Sequence, residues 1–107
     1  MIKVINGTRY NTETAERAFV LDNGHFISDF KYREKTLHRT SKGAWFIHHV
    51  GGPMTDMAST VGNETTGSER IEPITADDAF GFLQAHSNDM DASDSIETYF
   101  SDRTIEA

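Results

Sequence analysis

Five histidines, seventeen carboxylates and no cysteine set the chemistry open to this chain. The missing cysteine removes thiolate zinc sites, disulfide frameworks and thiol nucleophiles at once. His38, His48 and His49 fall in or beside one strand-like stretch. If that stretch pairs as a hairpin with Leu37 opposite Ile47, its side chains alternate between two faces. His38 and His48 then project from the same face, close enough on the diagonal to share an ion. His49 points the other way, so a three-histidine centre fails on parity. One reading is thus a metal-dependent enzyme built on His38 and His48; the plainer one is a pair of half-exposed strand histidines with no ligand. His25 and His86 have no spaced partner.

The remaining motifs argue against particular chemistries. Asp89-x-Asp91-x-Ser93 opens like a calcium loop, but Asp94 stands where the sharp-turn glycine belongs and Phe100 where the bidentate glutamate belongs. No Gly-x-Ser-x-Gly elbow is present, and no Gly-Lys-Ser/Thr follows Gly51-Gly52 or Gly62 and Gly67. No cofactor-binding motif stands out. Seventeen carboxylates offer no acid–base pair that can be singled out without geometry.

Charge is unevenly spread. Residues 1–50 hold eight Lys/Arg against five Asp/Glu, and residues 51–107 two against twelve, giving formal charges of +3 and −10. An acidic face drawn from Glu64, Glu69, Glu72, Asp77, Asp78, Asp89, Asp91 and Asp94 would meet a basic partner. Trp45, Phe46, Tyr99 and Phe100 would serve as anchors if exposed. The opposing option is a nucleic-acid module using Lys31, Arg33, Lys35, Arg39 and Lys42, interleaved with Tyr32 and Trp45. The −10 of the second half repels phosphate, which argues against direct nucleic-acid binding.

The elements that must position these residues follow from periodicity and turn chemistry. A length of 107 residues bounds the chain to one domain of α+β class. Asn6-Gly7 marks a tight hairpin turn between two short strands. Asn11 or Thr12 caps an expected short helix, in which Ala15, Ala18 and Phe19 share a face. His25–Tyr32 fits strand and helical turn equally. Lys35–Arg39 and Ala44–Val50 form the central β-hairpin (about 34–50) around Thr40-Ser41-Lys42-Gly43, with Leu37, Trp45 and Ile47 on one face and His38, Phe46, His48 and Val50 on the other. Met54–Gly67 reads as a mobile loop. Arg70–Ile74 is a short edge strand because of Pro73. Thr75 and Asp78 make a near capping box for a helix over about 76–86, packed on a small antiparallel sheet. Residues 87–107 form an acidic extension to the 1–86 domain, in which Ile96, Tyr99 and Phe100 outline a short helix behind an Asp94/Ser95 cap. No apolar run is long enough to span a membrane and the N-terminus lacks a signal-peptide core, so the expected compartment is cytoplasmic. An edge strand or the terminal helix could also pair with a second copy, giving a homodimer.

Three segments, IKVINGTRYNTETA, EKTLHRTSKGAWFIHHVGGPMT and GSERIEPITADDAFGFL, occur in an order that resembles a family of short proteins carried by bacteria and their phages and plasmids. The shared pattern is INGxRYxTETA, then TLxRTxxGxxFxxxxGG, then PxTxxxAxxxL, over about residues 1–85. The resemblance assigns no catalytic residue and implies context only. Small acidic proteins of mobile elements are often inhibitors of host defence, anti-CRISPR proteins among them, that cover the nucleic-acid-binding surface of a nuclease. The expectation carried forward is a non-enzymatic acidic binding protein whose partner is a basic, nucleic-acid-handling host protein.

Overall fold

The computed structural model describes residues 1–107. Its centre is the expected hairpin: β4 (Arg33–Arg39) pairs with β5 (Trp45–Gly51), with Leu37 opposite Ile47 and Arg39 opposite Trp45. Gly43, at φ 85°, supplies the left-handed residue of the connecting loop, which closes through Thr40 N–H to Ala44 C=O at 2.8 Å. On either side lie β3 (Glu16–Asp22) and β8 (Ser68–Ile74), so the antiparallel sheet runs β3-β4-β5-β8. Pro73 sits on β8 at the sheet edge, where its missing N–H leaves no ladder bond unmade.

Two short hairpins flank this sheet. β1 (Ile2–Ile5) and β2 (Thr8–Asn11) are joined by Asn6-Gly7, both at positive φ, as a two-residue primed turn requires. β6 (Ser59–Val61) and β7 (Glu64–Thr66) are joined by Gly62-Asn63. That second hairpin replaces the mobile loop expected over Met54–Gly67. Gly62, at φ 62°, carries the turn, and Gly followed by Asn is a two-residue hairpin signal.

Helix α1 (Ala76–Ala85) begins at the expected capping box: the Asp78 amide donates to Thr75 Oγ1 at 3.0 Å, and the Thr75 amide donates back to the Asp78 carboxylate. Helix α2 (Met90–Phe100) is longer than the expected terminal helix. Its cap is Asp89, whose carboxylate accepts from the Asp91 amide, so Asp94 and Ser95 lie inside the helix. Both helices pack on one face of the sheet, where Phe19, Leu37, Trp45 and Ile47 meet Ala79, Leu83, Ala92 and Phe100. Phe100 stacks on Trp45 at 5.2 Å and on Phe80 at 5.0 Å. The acidic extension therefore completes the core of the sheet. On the opposite face Tyr10 of the β1–β2 hairpin meets Phe46 edge-on at 5.4 Å.

The short helix expected over Glu13–Phe19 is instead a turn that leads into strand β3. The ladder slips between Arg17 and Phe19, with Arg17 opposite His38 and Phe19 opposite Leu37. A bulge of this kind inserts Ala18 as an extra residue, so Ala18 and Phe19 both reach the core side. Spacing that mimics a helix face is thus produced by a strand with one residue too many.

Candidate functional site

The feature that stands out is an apolar tip at the end of the sheet where β4 begins and β5 ends. Phe26, Ile27, Phe30 and Met54 are 85, 78, 64 and 61% exposed. These side chains sit on two loops, residues 23–32 and 52–57, tied by a backbone bond from Met54 N–H to Phe30 C=O at 2.9 Å. Gly52 N–H also donates to Tyr32 C=O at 2.9 Å, and a Cβ at Gly52 would overlap the Phe30 carbonyl. Only glycine lets the loops approach so closely.

The first loop is irregular yet well bonded. The Asp22 carboxylate accepts from Gly24 N–H at 2.8 Å, an Asx turn that leads into Gly24 at φ 81°. The Asn23 amide donates to Lys31 C=O at 2.7 Å and its oxygen accepts from Arg33 N–H at 3.2 Å, bridging the loop ends. Asp29 N–H donates to Phe26 C=O, and the Asp29 carboxylate accepts from Lys31 N–H at 2.7 Å. Polar groups thus hold the backbone while the apolar side chains are left in water. Preorganised aromatic anchors of this kind suit binding, since little rotational or loop entropy remains to be lost.

Beneath the tip, Arg33 braces both loops against the sheet. Its Nε donates to Asp56 Oδ1 at 2.7 Å, Nη2 to Asp56 Oδ2 at 3.3 Å, and Nη1 to the Glu34 carbonyl at 2.8 Å. Nη2 also lies 2.8 Å from His49 Nδ1, and His49 Nε2 lies 2.8 Å from Glu72 Oε1. A guanidinium can only donate, so Nδ1 must accept and the proton must sit on Nε2, donated to Glu72. Burial lowers the His49 pKa and the neighbouring arginines reinforce this against Glu72. The Asp56 carboxyl is held below its ordinary value by Arg33. On the other face Tyr32 O–H donates to Glu34, which also accepts from Thr36 Oγ1 at 2.9 Å. Burial, then Glu34, pushes the Tyr32 phenol up to about 12.

His38 and His48 share a face, as the register required, with ring centroids 6.4 Å apart. His38 is stacked on Phe46 at 4.8 Å and buried. Desolvation, with His48 and Arg17 adding repulsion, lowers its pKa to about 4. His38 Nδ1 and His48 Nε2 are buried without a hydrogen-bond partner; Glu69 Oε1 is 3.4 Å from His48 Nε2 but outside bonding geometry. No group of three or more His, Asp or Glu is placed to hold one ion.

The expected acidic face is not assembled as one surface. Glu69 and Glu72 stand an odd number of residues apart on β8 and so project from opposite faces. Glu72 bonds His49 and Asp77 pairs with Arg103 at 2.5 Å. Asp78 and Asp89 cap helices, and Glu64 lies on the separate β6–β7 hairpin. Asp91 and Asp94 are brought together beside Arg17 along β3, and Asp77 and Asp78 share the first turn of α1. Of the proposed anchors, Trp45, Phe46 and Phe100 are buried core residues, and Tyr99 donates its hydroxyl to Glu16 at 2.5 Å. Burial, then Glu16, pushes that phenol up to about 12. The basic series is also dispersed. Arg33 is drawn into the brace, Arg39 lies over Tyr99 at 5.9 Å, and Lys31 and Lys42 stand at opposite ends of β4.

The tip residues were hidden in the sequence by their lack of period. Their only signal is that Phe26, Ile27 and Phe30 are interleaved with the turn residues Asp22-Asn23-Gly24 and Asp29, which make burial hard to arrange. Comparisons with protein-family models, curated proteins and solved structures found no match for this chain.

Proposed function

We propose that this protein works by binding another protein through the apolar tip, and not by catalysis. The observation that carries the reading is four large apolar side chains held in water on two hydrogen-bonded loops. Exposed patches of this kind on a small folded domain mark interaction sites. The rim selects the partner's charge. Asp22 and Asp29 are exposed around the tip against one exposed lysine, Lys31, while Asp56 and Arg33 neutralise each other. On a chain of net charge −7, such a rim favours a partner with an apolar pocket edged by lysines and arginines. A nucleic-acid-handling protein of the cytoplasm, such as a nuclease covered by a mobile-element inhibitor of the anti-CRISPR kind, has that character. The fates of His38 and His49 agree with a binding role: one is buried with a pKa near 4, and the other is clamped between Arg33 and Glu72. Neither is free to serve as a general base.

Affinity capture from host lysate, run in parallel with Phe26→Ser/Phe30→Ser, tests this. Both positions are exposed, so the variant keeps the fold, which circular dichroism verifies. The expected result is a basic protein captured by the wild type, released as salt rises, and lost with the double variant. Capture that survives the double substitution, or that ignores salt, refutes the proposal.

A further inference from the structure

The end of the sheet opposite the tip carries a second feature. Between the β1–β2 hairpin and the β4–β5 loop lies a cleft of about 710 Å³ lined by ten residues. Arg9 and Lys42 face it from either wall, with Thr8, Thr14, Ser41 and Asn11 among the remainder. Not one carboxylate lines it, although 17 of 107 residues are acidic; Glu13 is adjacent in sequence but outside the lining. Arg9 and Lys42 form no ion pair, whereas Arg33 and Arg103 each find a carboxylate. The cleft therefore holds two uncompensated positive charges on a molecule of net charge −7.

We infer that this cleft binds the phosphate group of a small hydroxylated phosphate ester. Arg9 offers a planar fork suited to two phosphate oxygens, and Lys42 supplies a point charge from the facing wall. The hydroxyls of Thr8, Thr14 and Ser41 donate to no protein group, so they are free for phosphate or sugar oxygens. Asn11 Oδ1 is committed to the Glu13 amide at 2.9 Å, which leaves its NH₂ as the ligand-facing donor. The lining has only two apolar residues, Ala15 and Ala44, and no aromatic. No aromatic ring is there to stack a base, and the hydroxyls and amide of the lining favour a ligand recognised through oxygens. The volume leaves room for a sugar beside the phosphate. A long polyanion is opposed by the protein's overall charge, while a single phosphate gains from two cations lining one cleft.

Isothermal titration of the full chain with ribose 5-phosphate tests the inference, with ribose, inorganic phosphate and a single-stranded oligonucleotide as separate arms. The expected result is saturable binding of one ribose 5-phosphate per chain and weaker binding of inorganic phosphate. Ribose alone should not bind. Arg9→Gln and Lys42→Gln, each exposed and unpaired, keep the native melting temperature and weaken binding by roughly tenfold or more. Three outcomes overturn the inference: no saturable binding at millimolar ribose 5-phosphate, undiminished binding by the Arg9→Gln/Lys42→Gln double variant, or binding of the oligonucleotide alone.

Discussion

Replacing His38 with phenylalanine should make the protein more resistant to acid. His38 is 5% exposed, stacked on Phe46, and leaves Nδ1 without a partner. Burial lowers its pKa from 6.5 to about 4, and His48 and Arg17, which face it from β5 and β3, push in the same direction. Between those two values the unfolded chain holds a proton on this imidazole and the folded chain does not. Stability from this residue is therefore complete above about pH 6.5 and is lost as the pH falls towards 4. Each pH unit costs about 1.4 kcal/mol, so the loss approaches about 3 kcal/mol at pH 4. His49, also depressed, contributes loss of the same sign, but it remains in both chains and cancels from their difference.

Urea unfolding of wild type and His38→Phe at intervals from pH 7.5 to 4.5 measures that difference. Near neutrality the two should lie within about 1.5 kcal/mol, because the phenyl ring keeps the stack and removes an unsatisfied nitrogen while adding little volume. At pH 4.5 the variant should gain about 2–3 kcal/mol relative to its neutral-pH position. A difference that stays flat within about 0.5 kcal/mol across the range would show that His38 titrates normally, and the buried-stack argument would fail. Direct titration of the imidazole by NMR gives an independent reading: His38 should remain unprotonated at pH 5.

Arg33→Met should cost about 1–3 kcal/mol in urea unfolding, because it strands a buried acceptor, His49 Nδ1, whereas Asp56→Ala, at an exposed carboxylate, should cost under about 1 kcal/mol; equal effects would refute the brace. Gly52→Ala should destabilise by about 1–3 kcal/mol and accelerate hydrogen exchange at the Met54 amide, since the new Cβ overlaps the Phe30 carbonyl. Phe100→Ala should cost about 3–5 kcal/mol and shift the Trp45 fluorescence to the red, as a core position does and a dangling tail does not.

What was legible in the sequence was local. The central hairpin register followed from Gly43 and the alternation around Trp45, and it separated Leu37 and Ile47 from His38 and His48 as the structure does. The Thr75–Asp78 box set the start of α1, and Asn6-Gly7 set the first turn. Where long-range contact decides, local pattern misled. The bulge at Ala18 is written partly by α2, since Ser95, 77 residues away, donates its hydroxyl to the Ala18 carbonyl. Nothing near Ala18 announces that partner, so its spacing reads as a helix. The acidic tail was legible only in part: Ile96, Tyr99 and Phe100 outline a helix there, but not its start at Asp89 or its partner surface. Its carboxylates dominate its composition, but three small or aromatic residues, Ala92, Ser95 and Phe100, decide that it packs.

The apolar tip and the basic cleft share a cause that composition could not reveal. A strand pair orders its own middle through the ladder and leaves its two ends to loops, where side chains need not alternate. At one end of β4 and β5 those loops carry Phe26, Ile27, Phe30 and Met54; at the other the β4–β5 loop carries Ser41 and Lys42, which face Thr8 and Arg9 of strand β2. The ends lie about 20 Å apart along seven-residue strands. Unpaired charges in the cleft and the apolar surface at the tip therefore do not compete for one ligand. Substitution at Phe26 and Phe30 should leave ribose 5-phosphate affinity unchanged, and Arg9→Gln should leave partner capture unchanged. A cleft variant that abolished capture would mean the two ends act as one surface, and the separation argued from strand geometry would have to be abandoned.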